Sequence, residues 1–277
     1  MLPILRWAGG KSFVTNNIDQ LLKSTGHNGV DEFFAGAGAI SFHLEKEGSI
    51  LNDINPHLIN LYKQIQSGAI KSISDCINIE NTKENFLKNR ERFNFLIKNN
   101  DYLNEEAAAL FYYINRTCFN GLCRFNKKGL YNVGWGQLKK PIIKNSFDGE
   151  RELFEKFIFT NLSYNSASMK NKHVKIIDPP YFDVFVGYTS KGFTLQDQVA
   201  TSELNLNESP ALAFNSSHPK MLELYAENGW SVFTIKAPRR ISCNGDRKKA
   251  IEMLAVKMFS DKEILHAFKN KEVVKIY

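Results

Sequence analysis

Cysteine and histidine are sparse in this 277-residue chain. The four cysteines, Cys76, Cys118, Cys123 and Cys243, form no CxxC pair, and the six histidines show no HxxxH or comparable grouping. No metal site is therefore expected, and the cysteines read as reduced, buried small hydrophobes. No run of 18 or more apolar residues occurs, and the start is broken by Pro3, Arg6, Gly9, Gly10 and Lys11. Neither a membrane span nor a secretory h-region fits, which makes the cytoplasm the expected compartment. Acidic residues are absent from residues 115–144, where Arg116, Arg124, Lys127, Lys128, Lys139, Lys140 and Lys144 give seven positive charges. That equals the net charge of the whole chain, +7, so the remainder balances. A solvated face mixes signs. A one-sided segment interleaved with Phe119, Phe125, Tyr131 and Trp135 favours contact with nucleic acid.

With 43% hydrophobic residues the chain can bury a full core, and its length suits one large domain carrying a smaller inserted one. Residues 30–34 read as a short buried strand entering the turn Gly36-Ala37-Gly38. A helix over 39–46 and a second strand over 49–52, ending at Asp53, complete a Rossmann-like half. Ser41 stands where a dinucleotide fingerprint wants a third Gly or Ala. From His57 to Lys98 the pattern turns helical and polar, and Glu105 to Asn115 is a strong helix former. Asn126-Lys127-Lys128-Gly129 predicts a turn between aromatic flanks, hence a hairpin or loop with charged tips. Strands are predicted at 174–177, 211–214, 231–236 and 251–258, with a helix around 220–227.

The most specific feature is Asp178-Pro179-Pro180-Tyr181, directly after the strand at 174–177. The prolines fix φ and donate no amide hydrogens, so the turn is rigid and rich in acceptors. Asp178 and the carbonyl of Pro179 offer two acceptors for the hydrogens of an exocyclic amine such as adenine N6. That nitrogen is a poor nucleophile until its lone pair leaves conjugation with the ring. Tyr181 supplies a face on which an extruded base can stack. No Pro-Cys pair exists, so the thiolate of cytosine-C5 chemistry is missing. Asp in first position favours adenine. Cytosine-N4, RNA or protein amide transfer, or a DNA-binding chain that has lost catalysis, stay open on the residues alone.

The chain resembles Dam-type DNA adenine-N6 methyltransferases along nearly its whole length. The likeness is carried, in order, by Arg6-Trp7-Ala8-Gly9-Gly10-Lys11, Phe34-Ala35-Gly36-Ala37-Gly38, Asn52-Asp53-Ile54-Asn55, Asn115-Arg116 with the run Phe119 to Asn126, and Asp178-Pro179-Pro180-Tyr181. Ser242-Cys243-Asn244-Gly245 with Arg247-Lys248-Lys249 is similar to the closing motif. The resemblance implies an α/β, Rossmann-like S-adenosylmethionine-dependent methyltransferase fold. Residues 1–56 and 145–277 would be catalytic, and 57–144 a mainly helical target-recognition domain carrying a β-hairpin.

It further implies S-adenosyl-L-methionine held by Trp7, Lys11, Phe34, Gly36, Gly38, Asp53, Ile54 and Asp178, with catalysis at Asp178, Pro179, Pro180 and Tyr181. Double-stranded DNA would meet Arg6, Arg116, Phe119, Asn120, Leu122, Arg124, Asn126 and Lys139, with Arg124 reading guanine in GATC. Phe119 stands where the family has an intercalating tyrosine, Gly134 where it has proline and Leu138 where it has tyrosine. A monomer is expected in solution. The stretch from Phe182 to Thr194 is expected to form a lid, and Arg239-Arg240 is a candidate phosphate contact.

Overall fold

A computed structural model describes residues 3–167, 169, 173–182, 192–206, 208–238 and 250–277 of the chain. Residues 183–191 of the expected lid from Phe182 to Thr194, the pair Arg239-Arg240 and the closing motif with Cys243 and Arg247-Lys248-Lys249 lie outside the described residues. The strands are β1 (Val30–Glu32), β2 (Ile50–Asn52), β3 (Ile158–Thr160), β4 (Val174–Ile177), β5 (Ala211–Ser216), β6 (Ser231–Ala237), β7 (Ala250–Lys257) and β8 (Val273–Lys275). They form one sheet in the order β3-β2-β1-β4-β5-β7-β6-β8. The first five pair parallel with one another, and β7 lies antiparallel between β5 and β6. This mixed α/β architecture is consistent with the S-adenosylmethionine-dependent methyltransferase fold.

The central strands are buried on both faces, and the charges they carry, Asp31 on β1 and Lys175 on β4, are paired with each other at 3.0 Å. On β5, Leu212 and Phe214 join one buried cluster while Ala211 and Ala213 join another, as the two-residue strand period requires. The first cluster is closed by α1 (Thr15–Thr25), by α2 (Ala39–Leu44) and by α10 (Asp261–Ala267). The second is closed by α9 (Pro219–Glu227) through Met221 and Tyr225, while α8 (Leu195–Ser202) contacts α9.

Between β2 and β3 lie α3 (Pro56–Gln66), α4 (Ile73–Cys76), α5 (Lys83–Lys98), α6 (Glu105–Thr117) and α7 (Asp148–Phe154). Asn55 caps α3 by accepting from the amides of His57 and Leu58, with Pro56 at the first turn where its missing donor costs nothing. Asn104 caps α6 in the same way through Ala107 N. Every residue from Ala107 to Asn115 is buried, so α6 is the central rod against which α3, α4 and α5 pack. The helices share one apolar cluster with Leu51 and Phe159 of the sheet and with Ile4 and Leu5. The polar tract over 57–98 packs chiefly against α6, in a cluster that also takes in Leu51 and Phe159 of the sheet.

The predicted hairpin is short. Asn126 N donates to Leu130 O, and the Asn126 side chain accepts from the amides of Lys128 and Leu130. One bridge joins Phe125 to Tyr131 and a second joins Cys118 to Trp135, with no longer ladder among the described residues. Gly136 is required at its position. A Cβ there would lie 2.4 Å from the Cys118 carbonyl oxygen.

Candidate active site

Parallel pairing of β1 with both β2 and β4 brings three loops to one edge of the sheet, where the strand order reverses. From β1 comes the glycine turn. Gly36 and Gly38 both adopt positive φ, and a Cβ would meet the Trp7 indole at Gly36 or the Phe42 ring at Gly38. From β2 comes Asp53, whose Oδ2 accepts from Gly36 N (2.9 Å) and whose Oδ1 accepts from Asn55 N (2.9 Å). Burial pushes its pKa up against those two donors. Tyr62 on α3 closes the far side by donating to Gly36 O at 2.8 Å. Ile54 is left half-exposed beside Asp53, and Phe34 packs its ring against Tyr164 and Phe193.

From β4 comes Asp178. Lys11, only 3% exposed, forms an ion pair with Asp178 Oδ2 at 2.8 Å and also donates to Gly9 O. Asp178 Oδ1 is enclosed and has no hydrogen-bond partner among the described residues. Burial pushes the carboxyl up to about 6, with Lys11 opposing and Glu252 assisting. The Lys11 ammonium lies 4.9 Å from the centre of the Tyr181 ring. The turn is fixed from behind: Gln198 Nε2 donates to Pro180 O (2.7 Å), Asn215 Nδ2 donates to Gln198 Oε1 (2.8 Å), and Asn215 Oδ1 accepts from Phe182 N (3.2 Å). Trp7, Lys11, Gly36, Gly38, Asp53 and Asp178 therefore converge on one edge.

The predicted nucleic-acid residues divide into two groups. Phe119 is 52% exposed, with Asn120 and Gly121 after it in left-handed backbone. Arg124, Lys127, Lys128, Lys139 and Lys140 are exposed along the same segment. Arg124 is braced at the turn, donating through Nε to Asn132 Oδ1 (2.8 Å) and through Nη2 to Asn132 O (3.3 Å). Asn126 spends its side chain on the turn itself, and Leu122 packs partly against the core. Arg116 is half-buried and donates to the carbonyls of Ile142 and Ile4, a clamp across the chain. Arg6 is held by a reciprocal pair with Asn115, its N donating to Oδ1 and its O accepting from Nδ2. The Arg6 side chain lies where a Cβ on Gly121 would be, directly under the exposed Phe119 segment.

A family model for D12 class N6 adenine-specific DNA methyltransferases matches residues 7–241. The chain belongs to this family. It is 33% identical to a DNA adenine methylase of Vibrio cholerae over 268 residues, covering 91% of this chain and 94% of that one. Identity to the DNA adenine methylase of Escherichia coli is 31% over 272 residues, again covering 91% and 94%. A DNA N-6-adenine-methyltransferase of Escherichia phage P1 is 31% identical over 88% of this chain, which spans 34% of that longer protein. Membership makes the chain a DNA adenine methyltransferase and implies S-adenosylmethionine as methyl donor. No helix among the described residues is long and apolar enough to cross a membrane.

Three site groups were not singled out from the sequence. Gln198 and Asn215 hold the Pro-Pro turn, Glu252 accepts from the Tyr181 hydroxyl (2.7 Å), and Glu32 accepts from Ser41 N and Oγ at the start of α2. A signal was present for Glu252, an acid within the mostly apolar run of β7, whereas Glu32 follows Asp31 in a three-residue strand and carried none. Burial pushes Glu32 up to about 7 against its two Ser41 bonds, with Asp178 and Asp53 adding to the shift. The folded chain thus holds this proton more tightly than the unfolded one, whose ordinary value is 4.5. Stability falls as pH rises from about 4.5 through about 7, by on the order of 3 kcal/mol from this group. Glu32→Gln retains an acceptor for Ser41 and removes the titration. Denaturant midpoints of the variant should change less between pH 5 and pH 8 than those of the parent, and parallel curves would show that Glu32 does not titrate there.

Proposed function

We propose that the chain methylates N6 of an adenine turned out of double-stranded DNA, within GATC, from S-adenosylmethionine. The observation that carries the reading is the division of labour on Asp178. One oxygen is spent on Lys11, and the other is enclosed and unspent, ready for one amino hydrogen. The Pro179 carbonyl takes the second, Pro180's carbonyl being already occupied by Gln198. Two acceptors on the amino hydrogens draw the nitrogen toward a tetrahedral geometry and free its lone pair. Tyr181 stacks on the extruded base.

The tight glycine turn and the Asp53 carboxylate fit the methyl donor. When bound, it supplies a methyl carbon on a sulfonium that is already a good leaving group. Gly36 and Gly38 give its methionine part close backbone approach, Asp53 accepts from its ribose hydroxyls, and Trp7, Phe34 and Ile54 line the crevice. Residues 57–144 are the target-recognition unit. Phe119 enters the stack at the emptied position, with Asn120 and Leu122 beside it, while Arg124 reads a base edge and Lys139 meets phosphate. Tritium transfer to double-stranded DNA, RNA and protein tests the substrate class, and single-molecule sequencing of DNA from expressing cells tests base and context together. Incorporation into RNA alone, or modified adenines outside GATC, would overturn the corresponding part.

Asp53→Ala should weaken cofactor binding about tenfold, as loss of a hydrogen bond to a charged acceptor requires. The same change strips the partner from Gly36 N and Asn55 N, so the thermal midpoint should fall as well. Calorimetric titration with the cofactor checks the first effect; an unchanged dissociation constant would leave Asp53 with the loop-holding role only.

A further inference from the structure

The reversal of β7 has a topological result at the active edge. Strands β1, β4 and β5 present their C-terminal ends there, and antiparallel β7 presents its beginning. Glu252, near that beginning, pairs in register with Ser216 at the end of β5 and with Ile235 on β6, so its backbone is held on both sides. Its carboxylate accepts from the Tyr181 hydroxyl at 2.7 Å and lies 3.9 Å from the Lys11 ammonium, which is itself bonded to Asp178. A surface glutamate would be expected to face water. This one is 17% exposed and is committed to the tyrosine that follows the Pro-Pro turn.

The Tyr181 ring is tethered at its backbone by the rigid turn but can pivot about its side-chain torsions. A hydrogen bond at the far end of the ring removes that freedom, and Glu252 makes the bond from a strand that cannot shift independently of the sheet. We propose that Glu252 is a positioning residue for methyl transfer: it anchors the Tyr181 hydroxyl and thereby holds the stacking ring beside Asp178 and Lys11. The proposal rests on the reading of Asp178 to Tyr181 as the reacting turn. The charge of Glu252 has a second effect. The groups facing the Asp178 carboxyl among the described residues are Lys11, Glu252, Tyr181, Tyr225 and Glu32, and Glu252 opposes its ionisation while Lys11 favours it.

The test is a double-mutant cycle on the full chain with a GATC duplex, read by single-turnover rate, by cofactor dissociation constant and by 2-aminopurine fluorescence at the target adenine. Tyr181→Phe deletes only the hydroxyl and Glu252→Leu only its acceptor. Each should lower the methylation rate about tenfold with cofactor affinity unchanged, and the double variant should be no slower than either single one. Glu252→Gln keeps an acceptor for the phenol, so it should recover most of the rate and move the acid limb of the pH profile to lower pH. If Glu252→Leu fails to fold, the pairing of Tyr181→Phe with Glu252→Gln carries the test: Tyr181→Phe should slow the reaction and Glu252→Gln should not. Losses that multiply to about a hundredfold, or equal losses in Gln and Leu variants, would overturn the anchoring role. Asp178→Ala separates the two levels. If it retains turnover, the reacting-turn reading falls and the proposal with it; if it is inactive while the losses multiply, the proposal alone falls.

Discussion

Asp178→Ala is expected to lower methyl transfer at least about a thousandfold while cofactor and DNA dissociation constants stay within about tenfold of the parent. Asp178 Oδ1 is the enclosed acceptor left unspent at the sheet edge, so under the proposed function its contribution falls on the reacting nitrogen and not on the binding of either partner. Removing the carboxylate also leaves the Lys11 ammonium, 3% exposed, with Glu252 at 3.9 Å and the Gly9 carbonyl as its remaining partners. Some loss of thermal stability should accompany the loss of rate. Asp178→Asn separates the two effects, because an amide fills the same space and keeps one acceptor but can turn a donor toward Lys11 or toward the substrate amine. Gel-shift and equilibrium dialysis supply the binding constants, and single-turnover tritium transfer supplies the rate. Loss of DNA binding comparable to the loss of turnover would reassign Asp178 to substrate binding.

The pH profile follows from the same carboxyl. Burial raises it to about 6, and only the ionised form accepts the amine hydrogen without competing as a donor. The single-turnover rate should therefore fall about tenfold per unit below pH 6 and level off above it.

Some of this arrangement was legible in the sequence for local physical reasons. Strand β4 is short, wholly buried and ended by prolines, so period and punctuation agreed on Val174–Ile177. The glycine turn was equally readable, since both glycines take φ values that other residues avoid. Strand β3 was not readable. Three residues with one exposed and one half-buried carry no period, and the strand exists because Asn52 side-chain bonds to Thr160 and Leu162 tie it to β2. The helical tract over 57–98 looked like a separate body because α5 exposes so many charges. Its five buried residues, Asn85, Phe86, Asn89, Phe93 and Leu96, nevertheless join it to α6 or to the strap before it.

Site residues divide the same way. Lys11 and Asp178 are 167 positions apart, and only motif order suggested that they meet; the ion pair forms because the segment before α1 lies against the end of β4. Arg116 and Asn126 show the reverse. Both lie in a basic, aromatic segment that favours nucleic-acid contact on composition, yet the fold spends one on carbonyls and the other on its own turn. Composition reports which residues are available, and backbone satisfaction decides which of them remain so.

Arg124 is where that distinction is most consequential. Its guanidinium carries five donors in a planar fork, and two of them are spent on Asn132. The brace fixes the plane while leaving donors for guanine O6 and N7, a contact whose loss costs about 1–3 kcal/mol of discrimination. Arg124→Ala should therefore lower the rate on GATC about ten- to a hundredfold and raise the relative rate on sites altered at the guanine. Asn132→Ala, which loosens the fork without removing it, should move both quantities in the same direction by less. Lys139→Ala is the control. It deletes one positive charge from the same segment, and as a phosphate contact it should weaken all duplexes equally and reduce the slope of log affinity against log salt by about one. Competition assays on GATC and on sites altered singly at each of its positions, at two salt concentrations, read both predictions at once. If Arg124→Ala weakens every duplex by one factor and lowers the salt slope as Lys139→Ala does, Arg124 is a phosphate anchor. The guanine contact then passes to Arg6, whose side chain lies under the Phe119 segment and whose Nη1 has no partner among the described residues.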